Sequence, residues 1–453
     1  MAVNPLIFRE YDIRGKVDED LTEETVQAIG RAYGTYVIKN GLKEVTCGRD
    51  GRTHSARIQQ ALIKGIASTG LNVADIGECP TPLLYFSIHH LKTDGGLMVT
   101  GSHNPPEFNG FKMCLRTSTL YGPQILELKS IIDSGGYAVG KGVITSCDVT
   151  RPYLDYIKGN IRLARPLKIV LDAGNGVAGL AAPYAFKEQG CEVIPLFCDV
   201  DGAFPNHHPD PTIPANLAAL KAKVLETGAD AGMAYDGDAD RLGVVDDKGN
   251  IIFGDQLLII FGRDILKRHP GAAVIGEVKC SYTMYEELKK AGGRPIMWKT
   301  GHSLIKKKMV EEKALLAGEM SGHIFFADRY FGYDDGIYAS LRLAGIMAAC
   351  AKPLSTFLSD VPKTFSTPEI RVECQDREKF KIVEEARNWF SARFKTIETD
   401  GVRVVFDDGW GLIRASNTQP VLVLRFEAST KARLDEIQKL IEGRLKEIAN
   451  GRK

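Results

Sequence analysis

Several features that would place a chain in a special class are missing from these 453 residues. No apolar run approaches the ~18 residues of a membrane-spanning helix, and the N-terminus lacks the charged and then apolar pattern of a secretory signal. Acidic and basic residues are balanced, at 57 and 58, so the net charge of +1 indicates no nucleic-acid or acidic-membrane surface. We therefore expect a cytoplasmic protein that contacts neither nucleic acid nor membrane.

The nine cysteines include no C-x-x-C pair and are scattered from Cys47 to Cys374. Neither a disulfide framework nor a structural zinc site is indicated, and reduced thiols are expected. The chain also exceeds the ~250–300 residues at which a single core stops growing. Several domains are therefore expected.

Strand and helix patterns alternate through most of the chain. Apolar residues at helical spacing follow Thr22, an expected N-cap, and continue to Lys39. Short apolar runs and further helices come next, as in βαβ units, and this pattern restarts after residue 150 and again near 251. The C-terminal part instead predicts antiparallel strands at 402–406, 411–413 and 421–426 between two helices, which is typical of an α+β domain.

Three of the α/β segments place a loop of small and charged residues directly after a short apolar strand. Ligands of open α/β sheets bind beyond the carboxyl ends of strands. If the three segments face a shared cleft, these loops converge on one substrate.

The first loop exposes a hydroxyl. The apolar strand Leu97–Val99 leads into Thr100–Asn104, where Ser102 stands beside His103. An ordinary turn, in which Ser and Asn satisfy backbone groups, is the alternative interpretation. The Gly-x-Ser-x-Gly pattern of hydrolases is absent, so a serine-hydrolase triad is not favoured.

The second loop, Asp236-Gly-Asp-Ala-Asp-Arg241, suits a metal ion. Carboxylates at alternating positions of an extended loop point to one side and can offer oxygens to a hard cation. A solvated turn is the alternative, and an EF-hand is disfavoured because Arg241 stands where that loop requires Gly. Mg²⁺ is favoured over Ca²⁺, since three protein oxygens leave room for a phosphate on Ser102, and the pair suggests phosphoryl transfer.

Two further loops carry groups that suit a sugar phosphate. Gly318-Glu-Met-Ser-Gly-His323 offers a carboxylate, a hydroxyl and an imidazole, although many turns contain such a set. Arg414-Ala-Ser-Asn-Thr418 can present a guanidinium, hydroxyls and backbone N–H groups to a phosphate dianion, and a capped turn is the alternative. The run Lys306-Lys307-Lys308 is interpreted as a solvated helix face.

Taken in order, five motifs resemble those of the α-D-phosphohexomutases. They are Phe8–Gly15, Thr100–Pro106, Asp236–Arg241, Gly318–His323 and Arg414–Thr418, and they span nearly the whole chain. The resemblance implies an α/β fold with four domains around a central cleft: three related α/β domains with mixed sheets and a C-terminal α+β domain. The predicted domains are 1–148, 149–250, 251–362 and 363–453.

The resemblance also implies roles for individual residues. Ser102 would carry a phosphate and, with Asp236, Asp238 and Asp240, bind Mg²⁺. Glu319 and Ser321 would read sugar hydroxyls, while Arg414, Ser416, Asn417 and Thr418 would hold the distal phosphate. Ala239 stands where family members often have Gly, a change expected to leave the carboxylates in place. Further active-site groups are implied at Tyr11, Arg14, His103, Lys112, Arg241, Lys279, His302 and His323.

The implied activity is the reversible interconversion of hexose 1-phosphate and hexose 6-phosphate, with Mg²⁺ as cofactor and a hexose 1,6-bisphosphate as intermediate and activator. His323 and Lys112 are the candidate general bases, with Arg14 assisting. Met320 resembles the mannose and glucose enzymes more than the glucosamine-specific ones, where Gln is usual. The alternatives are a phosphoglucosamine mutase, a Mg²⁺-dependent sugar phosphatase and a non-catalytic sugar-phosphate-binding protein. A monomer is expected.

Overall fold

The computed structural model describes residues 3–350, 352–417 and 419–450, with the side chain of residue 450 left out. Its strands form four separate sheets, which follow one another along the chain. The expected α/β fold with four parts is present. Within the described residues, no helix is both long and apolar enough to cross a membrane.

The first sheet has seven strands in the order β1-β5-β4-β2-β3-β7, with β6 paired to β5. It is mixed, because β2 runs parallel to β3 and β4 whereas β5 runs antiparallel to β1 and β4. The strands are β1 (Ile13–Lys16), β2 (Glu44–Arg49), β3 (Asn72–Glu78), β4 (Gly95–Val99), β5 (Phe108–Leu115), β6 (Ser118–Thr119) and β7 (Ile144–Ser146). The helices are α1 (Glu23–Lys39), α2 (Ser55–Ala67), α3 (Thr81–Leu91) and α4 (Pro123–Ser134).

The start of α1 confirms the predicted cap. The Thr22 hydroxyl accepts a hydrogen bond from the backbone N–H of Thr25 at 3.3 Å, which satisfies one of the unpaired amides at a helix start. Acidic residues in the first turn, Glu23 and Glu24, and Lys39 in the last turn complement the helix dipole. The helix therefore begins and ends where local sequence signals predict.

The second and third sheets are smaller and also mixed. Their orders are β12-β11-β10-β8-β9 and β14-β13-β15-β16. The strands are β8 (Lys168–Asp172), β9 (Glu192–Leu196), β10 (Ala231–Tyr235), β11 (Leu242–Asp246), β12 (Ile251–Ile252), β13 (Ala273–Glu277), β14 (Arg294–Trp298), β15 (Leu316–Gly318) and β16 (Ile324–Phe326). The helices are α5 (Thr150–Asn160), α6 (Ala182–Glu188), α7 (Ala218–Thr227), α8 (Gly254–Arg268), α9 (Tyr282–Lys290), α10 (His302–Glu312) and α11 (Gly336–Ala349). Because β12 pairs with β11, the second sheet continues two residues past the predicted division at 250.

The fourth sheet is antiparallel, in the order β17-β22-β21-β20-β19 with β18 paired to β22. Its strands are β17 (Phe365–Ser366), β18 (Ile370–Glu373), β19 (Lys395–Ile397), β20 (Val402–Phe406), β21 (Gly409–Ala415) and β22 (Val421–Ala428), and its helices are α12 (Lys379–Ser391) and α13 (Lys431–Asn450). Short 3-10 turns occur at Pro5–Ile7, Val177–Leu180, Pro214–Leu217 and Leu354–Thr356.

One topological feature recurs in the first three sheets. In each, a strand that runs parallel to one neighbour turns back into an antiparallel partner: β4 into β5, β10 into β11, and β15 into β16. The hairpin loops between these partners are the loops of small and charged residues noted in the sequence. In each of the three sheets, the candidate site residues therefore lie in the loop that connects these two strands.

Buried apolar packing joins the first three sheets. One continuous core includes Leu84, Leu171 and Leu316, which come from three different segments. The fourth sheet has a core of its own and meets the third segment through Val278 and the fully buried Trp410. This packing fixes the three hairpin loops and the loop between β21 and β22 relative to one another. All nine cysteines are free thiols.

Candidate functional site

The four loops meet in one cleft. The Ser102 hydroxyl donates to Asp236 Oδ2 at 2.7 Å, which joins the first and second segments. Arg241 Nε donates to His323 Nε2 at 3.0 Å, which joins the second and third. The Asn417 side-chain amide donates to the Tyr11 hydroxyl, which joins the fourth to the first. Residues that are 82 to 406 positions apart in the sequence thus share one polar site.

Ser102 is held in an uncommon backbone conformation. Its φ is 48°, in the left-handed region that non-glycine residues rarely adopt. Ser102 is 1 % exposed, so the expectation of an exposed hydroxyl is wrong. The backbone N–H of Ser102 donates to Thr100 Oγ1 at 2.8 Å, so the turn satisfies itself as the alternative interpretation expected. The hydroxyl, however, is aimed at a carboxylate, and an ordinary turn does not require that orientation.

Arg52, which no sequence motif marks, holds the Ser102 loop through hydrogen bonds to its backbone. Its guanidinium donates to the backbone oxygens of Ser102, Asn104, Pro105 and Phe108 at 2.6–3.0 Å. The side chain is fully buried, and its Nε lies 3.3 Å from Asp50 Oδ2. Burial lowers the pKa of Arg52, an effect that Asp50 opposes. One cation therefore holds the backbone of the whole turn.

The aspartate loop is buried and crowded with negative charge. Asp236, Asp238 and Asp240 are each 0 % exposed, and their ligand atoms lie within 4.8 Å of one another. Lys112 Nζ lies 2.7 Å from Asp238 Oδ2 and also contacts Asp240 Oδ2. Ala239 adopts a φ of 64°, a value at which glycine is under no strain. The loop nevertheless keeps its three carboxylates together.

The pKa values in this cluster follow burial and then mutual charge. Burial, with repulsion from Asp238, raises the pKa of Asp236 and of Asp240. Burial also opposes ionisation of Asp238, yet the contact with Lys112 lowers the pKa of that carboxyl. For Lys112, the nearby carboxylates outweigh burial and raise its pKa. Lys112 is therefore protonated and is held by the carboxylates of Asp238 and Asp240.

This donor set fits a divalent metal ion. Asp238 Oδ1 and Asp240 Oδ1 are buried without a hydrogen-bond partner, although buried carboxylate oxygens are normally satisfied. Three carboxylates beside two cations, Lys112 and Arg241, leave an excess of negative charge that a hard cation compensates. The residues present can therefore hold such an ion.

A second cluster of charged groups lies beside the aspartate loop. His323 Nδ1 lies 3.0 Å from Asp334 Oδ2 and 3.5 Å from Asp240 Oδ1. Asp334 is fully buried and also lies 3.1 Å from Lys306 Nζ. The solvated interpretation of Lys306 is therefore wrong, because its side chain is 11 % exposed and serves as a counter-ion. His302 stacks on His323 with ring centroids 5.7 Å apart, and burial lowers the pKa of His302 well below its usual range.

The residues expected to contact sugar hydroxyls stand around Glu319. Its Oε1 accepts from the Gly301 N–H at 3.1 Å, and the Ser321 hydroxyl donates to its Oε2 at 3.3 Å. Behind it, the fully buried Glu277 accepts from the Thr300 hydroxyl at 2.8 Å. Burial raises the pKa of Glu277. Glu319 is thus held within a network of loop amides and hydroxyls, with the buried Glu277 behind it.

The residues expected to hold a phosphate lie at the end of β21. Arg414 Nε donates to Asp400 Oδ2 at 2.9 Å, and Ser416 Oγ accepts from the Gln419 N–H at 3.1 Å. Nearby, Lys279 Nζ donates to Glu369 Oε2 at 3.1 Å, which links the third and fourth segments. Thr418 lies outside the residues that the structure describes.

The remaining predicted residues also lie in the cleft. Arg14 donates to Asn104 Oδ1 at 2.6 Å, and Tyr11 donates to the Thr300 carbonyl at 2.8 Å. His103 Nδ1 is 3.2 Å from the Ser102 hydroxyl, and burial together with Arg241 lowers the pKa of His103 well below its usual range. All of the predicted site residues that are described therefore gather around this cleft.

Several supporting residues escaped sequence reasoning. Arg52, Asp50 and Asp334 stand outside the motifs, and His208 Nε2 lies 2.6 Å from the His103 carbonyl. Asp334-Asp335 before a helix is the one local signal that could have drawn attention, because Asp335 caps α11 by accepting from the Tyr338 N–H at 2.8 Å.

The fold and the cleft define a class: three α/β segments and one antiparallel α+β segment that together surround a serine and an acidic loop. Family models confirm this division. Those of the phosphoglucomutase/phosphomannomutase alpha/beta/alpha domains I, II and III match residues 5–137, 151–249 and 253–365, and that of the C-terminal domain matches residues 369–443.

Individual relatives agree over nearly their full length. A phosphomannomutase/phosphoglucomutase of Pseudomonas aeruginosa is 48% identical over 98% of this chain and 96% of its own. A phosphoglucomutase of Neisseria meningitidis is 46% identical over 95% of each chain. The crystal structure of a phosphoglucomutase/phosphomannomutase family protein from Burkholderia thailandensis superposes with a TM-score of 0.94 at 43% identity and covers 99% of both chains. The chain belongs to the phosphoglucomutase/phosphomannomutase family.

Proposed function

We propose that the protein interconverts hexose 1-phosphate and hexose 6-phosphate, with mannose and glucose as the sugars, through a phosphoserine at Ser102. The observation that carries the proposal is the 2.7 Å contact between the Ser102 hydroxyl and Asp236 Oδ2. This contact brings a nucleophilic oxygen to the aspartate loop, whose carboxylates can hold a metal ion, and phosphoryl transfer requires that arrangement.

The reaction has two phosphoryl transfers. In the first, the bond between phosphorus and Ser102 Oγ breaks while a new bond forms from phosphorus to a free sugar hydroxyl, which loses its proton to a base. The product is a hexose 1,6-bisphosphate. The bisphosphate then reorients in the cleft. In the second transfer, the bond between its other phosphorus and the sugar oxygen breaks while a new bond forms to Ser102 Oγ. The sugar oxygen takes the proton that the base had accepted, and the monophosphate leaves. Sugar phosphate and enzyme phosphate are thus conserved.

Asp236, Asp238 and Asp240 would hold Mg²⁺, and the phosphate on Ser102 would add a further oxygen ligand. When bound, the ion neutralises negative charge on the transferring group. Lys112 and Arg241 contribute positive charge from the protein itself, since Lys112 is buried beside Asp238 and Arg241 Nε lies 3.8 Å from Asp236 Oδ2.

His323 is the better of the two candidate bases. Lys112 is paired with Asp238 and Asp240, and its raised pKa keeps it protonated. His323 instead has Nδ1 3.0 Å from Asp334 Oδ2, and its Nε2 accepts from Arg241 Nε. A carboxylate at Nδ1 favours the tautomer that has its lone pair at Nε2, and Nε2 can take a proton once Arg241 Nε releases it. Arg14 would assist by positioning the serine loop through Asn104.

Glu319 and Ser321 would bind sugar hydroxyls, with Tyr11, Lys279 and His302 lining the same cleft. Arg414, Ser416, Asn417 and Thr418 would anchor whichever phosphate is not reacting. A fixed phosphate site explains how one cleft serves two substrate orientations. Closure of the fourth segment, held by the contact between Asn417 and Tyr11, would exclude water that otherwise hydrolyses the phosphoserine.

The alternatives differ in their products. A phosphatase would release inorganic phosphate, a binding protein would release nothing, and a phosphoglucosamine mutase would prefer glucosamine 1-phosphate. The decisive experiment compares isomerisation rates on mannose, glucose and glucosamine 1-phosphates with Mg²⁺ and catalytic glucose 1,6-bisphosphate. Fast isomerisation of the first two sugars is expected. Predominant phosphate release, or a preference for the amino sugar, would refute the proposal.

We also propose that the chain acts as a cytoplasmic monomer with domains 1–148, 149–250, 251–362 and 363–453. The four separate sheets and the separate core of the fourth segment support this division, apart from β12 at the second boundary. Light scattering at micromolar concentration tests the monomer.

A further inference from the structure

A basic cavity of about 190 Å³ lies between the second and third segments and takes no part in the cleft described above. Four arginines from four different elements line it, together with a single acidic residue and a small apolar wall. Arg162 follows α5, Arg268 is the last residue of α8, Arg329 follows β16, and Arg342 lies within α11.

The carboxylates around this cavity do not balance the arginines. Asp328 accepts from Arg342 at 2.8 Å and from Arg268 at 2.9 Å, so one buried carboxylate serves two guanidinium groups. Asp264 accepts from the same Arg268 nitrogen at 3.2 Å. Four arginines thus face two carboxylates, which leaves an excess of two positive charges.

The excess lies on Arg162 and Arg329. Within the part of the chain that the structure describes, Arg162 has no ion-pair partner, and Arg329 has only a 3.7 Å approach to Asp328. Arg329 also adopts a φ of 65°, and the Asn160 side chain donates to its carbonyl at 2.6 Å, which fixes that backbone. Arg342 is 3 % exposed and its guanidinium stacks over Phe326 at 4.3 Å, so the floor of the cavity is rigid.

We propose that this cavity binds a small anion that carries a phosphate group. Guanidinium groups suit phosphate because their planar N–H donors match its oxygens, and two unbalanced positive charges match a dianion. The volume of about 190 Å³ lies below the roughly 300 Å³ of drug-sized ligand sites, so the ligand is small. Ile161, Ile346 and Ala349 form an apolar wall that accommodates a short carbon skeleton.

One helix, α11, connects the cavity with the aspartate loop. Arg342 and Ile346 line the cavity from α11, and the first residue of that helix, Gly336, donates its N–H to the Ala239 carbonyl at 3.1 Å. Little space remains there, since a Cβ at Gly336 would lie 2.6 Å from the Arg241 carbonyl. Helix α11 therefore links the wall of the cavity to the aspartate loop.

Calorimetric titration with inorganic phosphate tests the site. An Arg414→Ala background removes a main phosphate ligand of the cleft, and saturable binding in the millimolar range should remain. Adding Arg162→Ala and Arg329→Ala should weaken that binding by at least about tenfold, because two charge-assisted donors are lost. Arg165→Ala is the matched control, since Arg165 is similarly exposed but pairs with Asp230 at 3.8 Å; it should bind as the background does.

Glycerol 3-phosphate forms the second arm. If it binds more tightly than inorganic phosphate, the ligand is an organic monoester, and the reverse order assigns the cavity to free phosphate. The proposal is overturned if the background protein shows no saturable binding of either anion, or if Arg162→Ala with Arg329→Ala leaves binding unchanged. Both substituted arginines lie on the surface, so circular dichroism should report a native fold. The glucose 1-phosphate KM of the Arg162→Ala, Arg329→Ala protein should also stay unchanged without added anion, which separates this site from the cleft.

Discussion

Replacing Arg52 with alanine should impair catalysis although the side chain lies behind the serine loop. Four backbone oxygens would lose their donor at once, and Asp50 would lose a cation 3.3 Å away. Hydrogen bonds to charged groups contribute about 1.5–3 kcal/mol each. The four bonds share one guanidinium, so removing a buried ionic partner, at about 3–5 kcal/mol, is the better estimate of lost stability.

The turnover number should fall by about 10²-fold, because a reacting oxygen that shifts by an ångström loses its alignment. The assay is isomerisation of glucose 1-phosphate with glucose 1,6-bisphosphate, together with urea unfolding. Arg52→Lys should be intermediate, since one ammonium cannot reach all four carbonyls in the geometry of a planar fork.

Arg57→Ala is the matched control. Arg57 lies on α2, and its side chain is 54% exposed and 2.7 Å from Asp18. Its loss should change stability by no more than about 0.5 kcal/mol and leave turnover unaltered. If Arg52→Ala is folded and turns over at the wild-type rate, the clamp has no role in positioning Ser102.

Two further substitutions test close approach and buried charge. Gly237→Ala should reduce turnover sharply, because the added Cβ would lie 2.4 Å from the Ser102 carbonyl oxygen and force the two loops apart. Gly159→Ala is the control, since its Cβ would have no atom within 4 Å, and it should turn over as the wild type does. Equal turnover in both variants would refute this reasoning. Burial raises the pKa of Asp335 from 3.8 to about 6. The protonated carboxyl therefore stabilises the folded state in full only below pH 3.8, the pKa in the unfolded chain, and this stabilisation is lost as the pH rises through 6. At about 1.4 kcal/mol per unit, Asp335→Asn should gain about 2 kcal/mol relative to wild type between pH 4.5 and 7.5 in urea unfolding. A pH-independent difference would contradict the raised pKa.

Much of the architecture follows from local sequence signals. The cap at Thr22, the apolar spacing of α1 and the charged last turn define that helix without reference to the rest of the chain. Glycines and alternating aspartates likewise mark the loop after β10. These features depend on neighbours within a few residues, so sequence alone reveals them.

Other parts of the site depend on distant contacts. Arg52 is an unremarkable arginine until the fold brings the Ser102 turn onto it, and Asp334 gains its role only beside His323. The position of Lys306 is unpredictable from sequence for the same reason, because its side chain faces Asp334 and the Tyr85 ring instead of solvent. Sequence motifs predicted which groups react, whereas the residues that hold them required the tertiary structure.

The most direct test of the central claim is the phosphorylation of Ser102 itself. After incubation with glucose 1,6-bisphosphate and Mg²⁺, mass spectrometry of the peptide containing Ser102 should detect one phosphate. Glucose 1-phosphate with an isotope-labelled phosphate should then exchange its label into the Ser102 phosphate at the rate of turnover. Ser102→Ala should carry no phosphate and should not isomerise glucose 1-phosphate. Wild-type isomerisation by Ser102→Ala, or a phosphoserine that never transfers its group to sugar, would contradict the account.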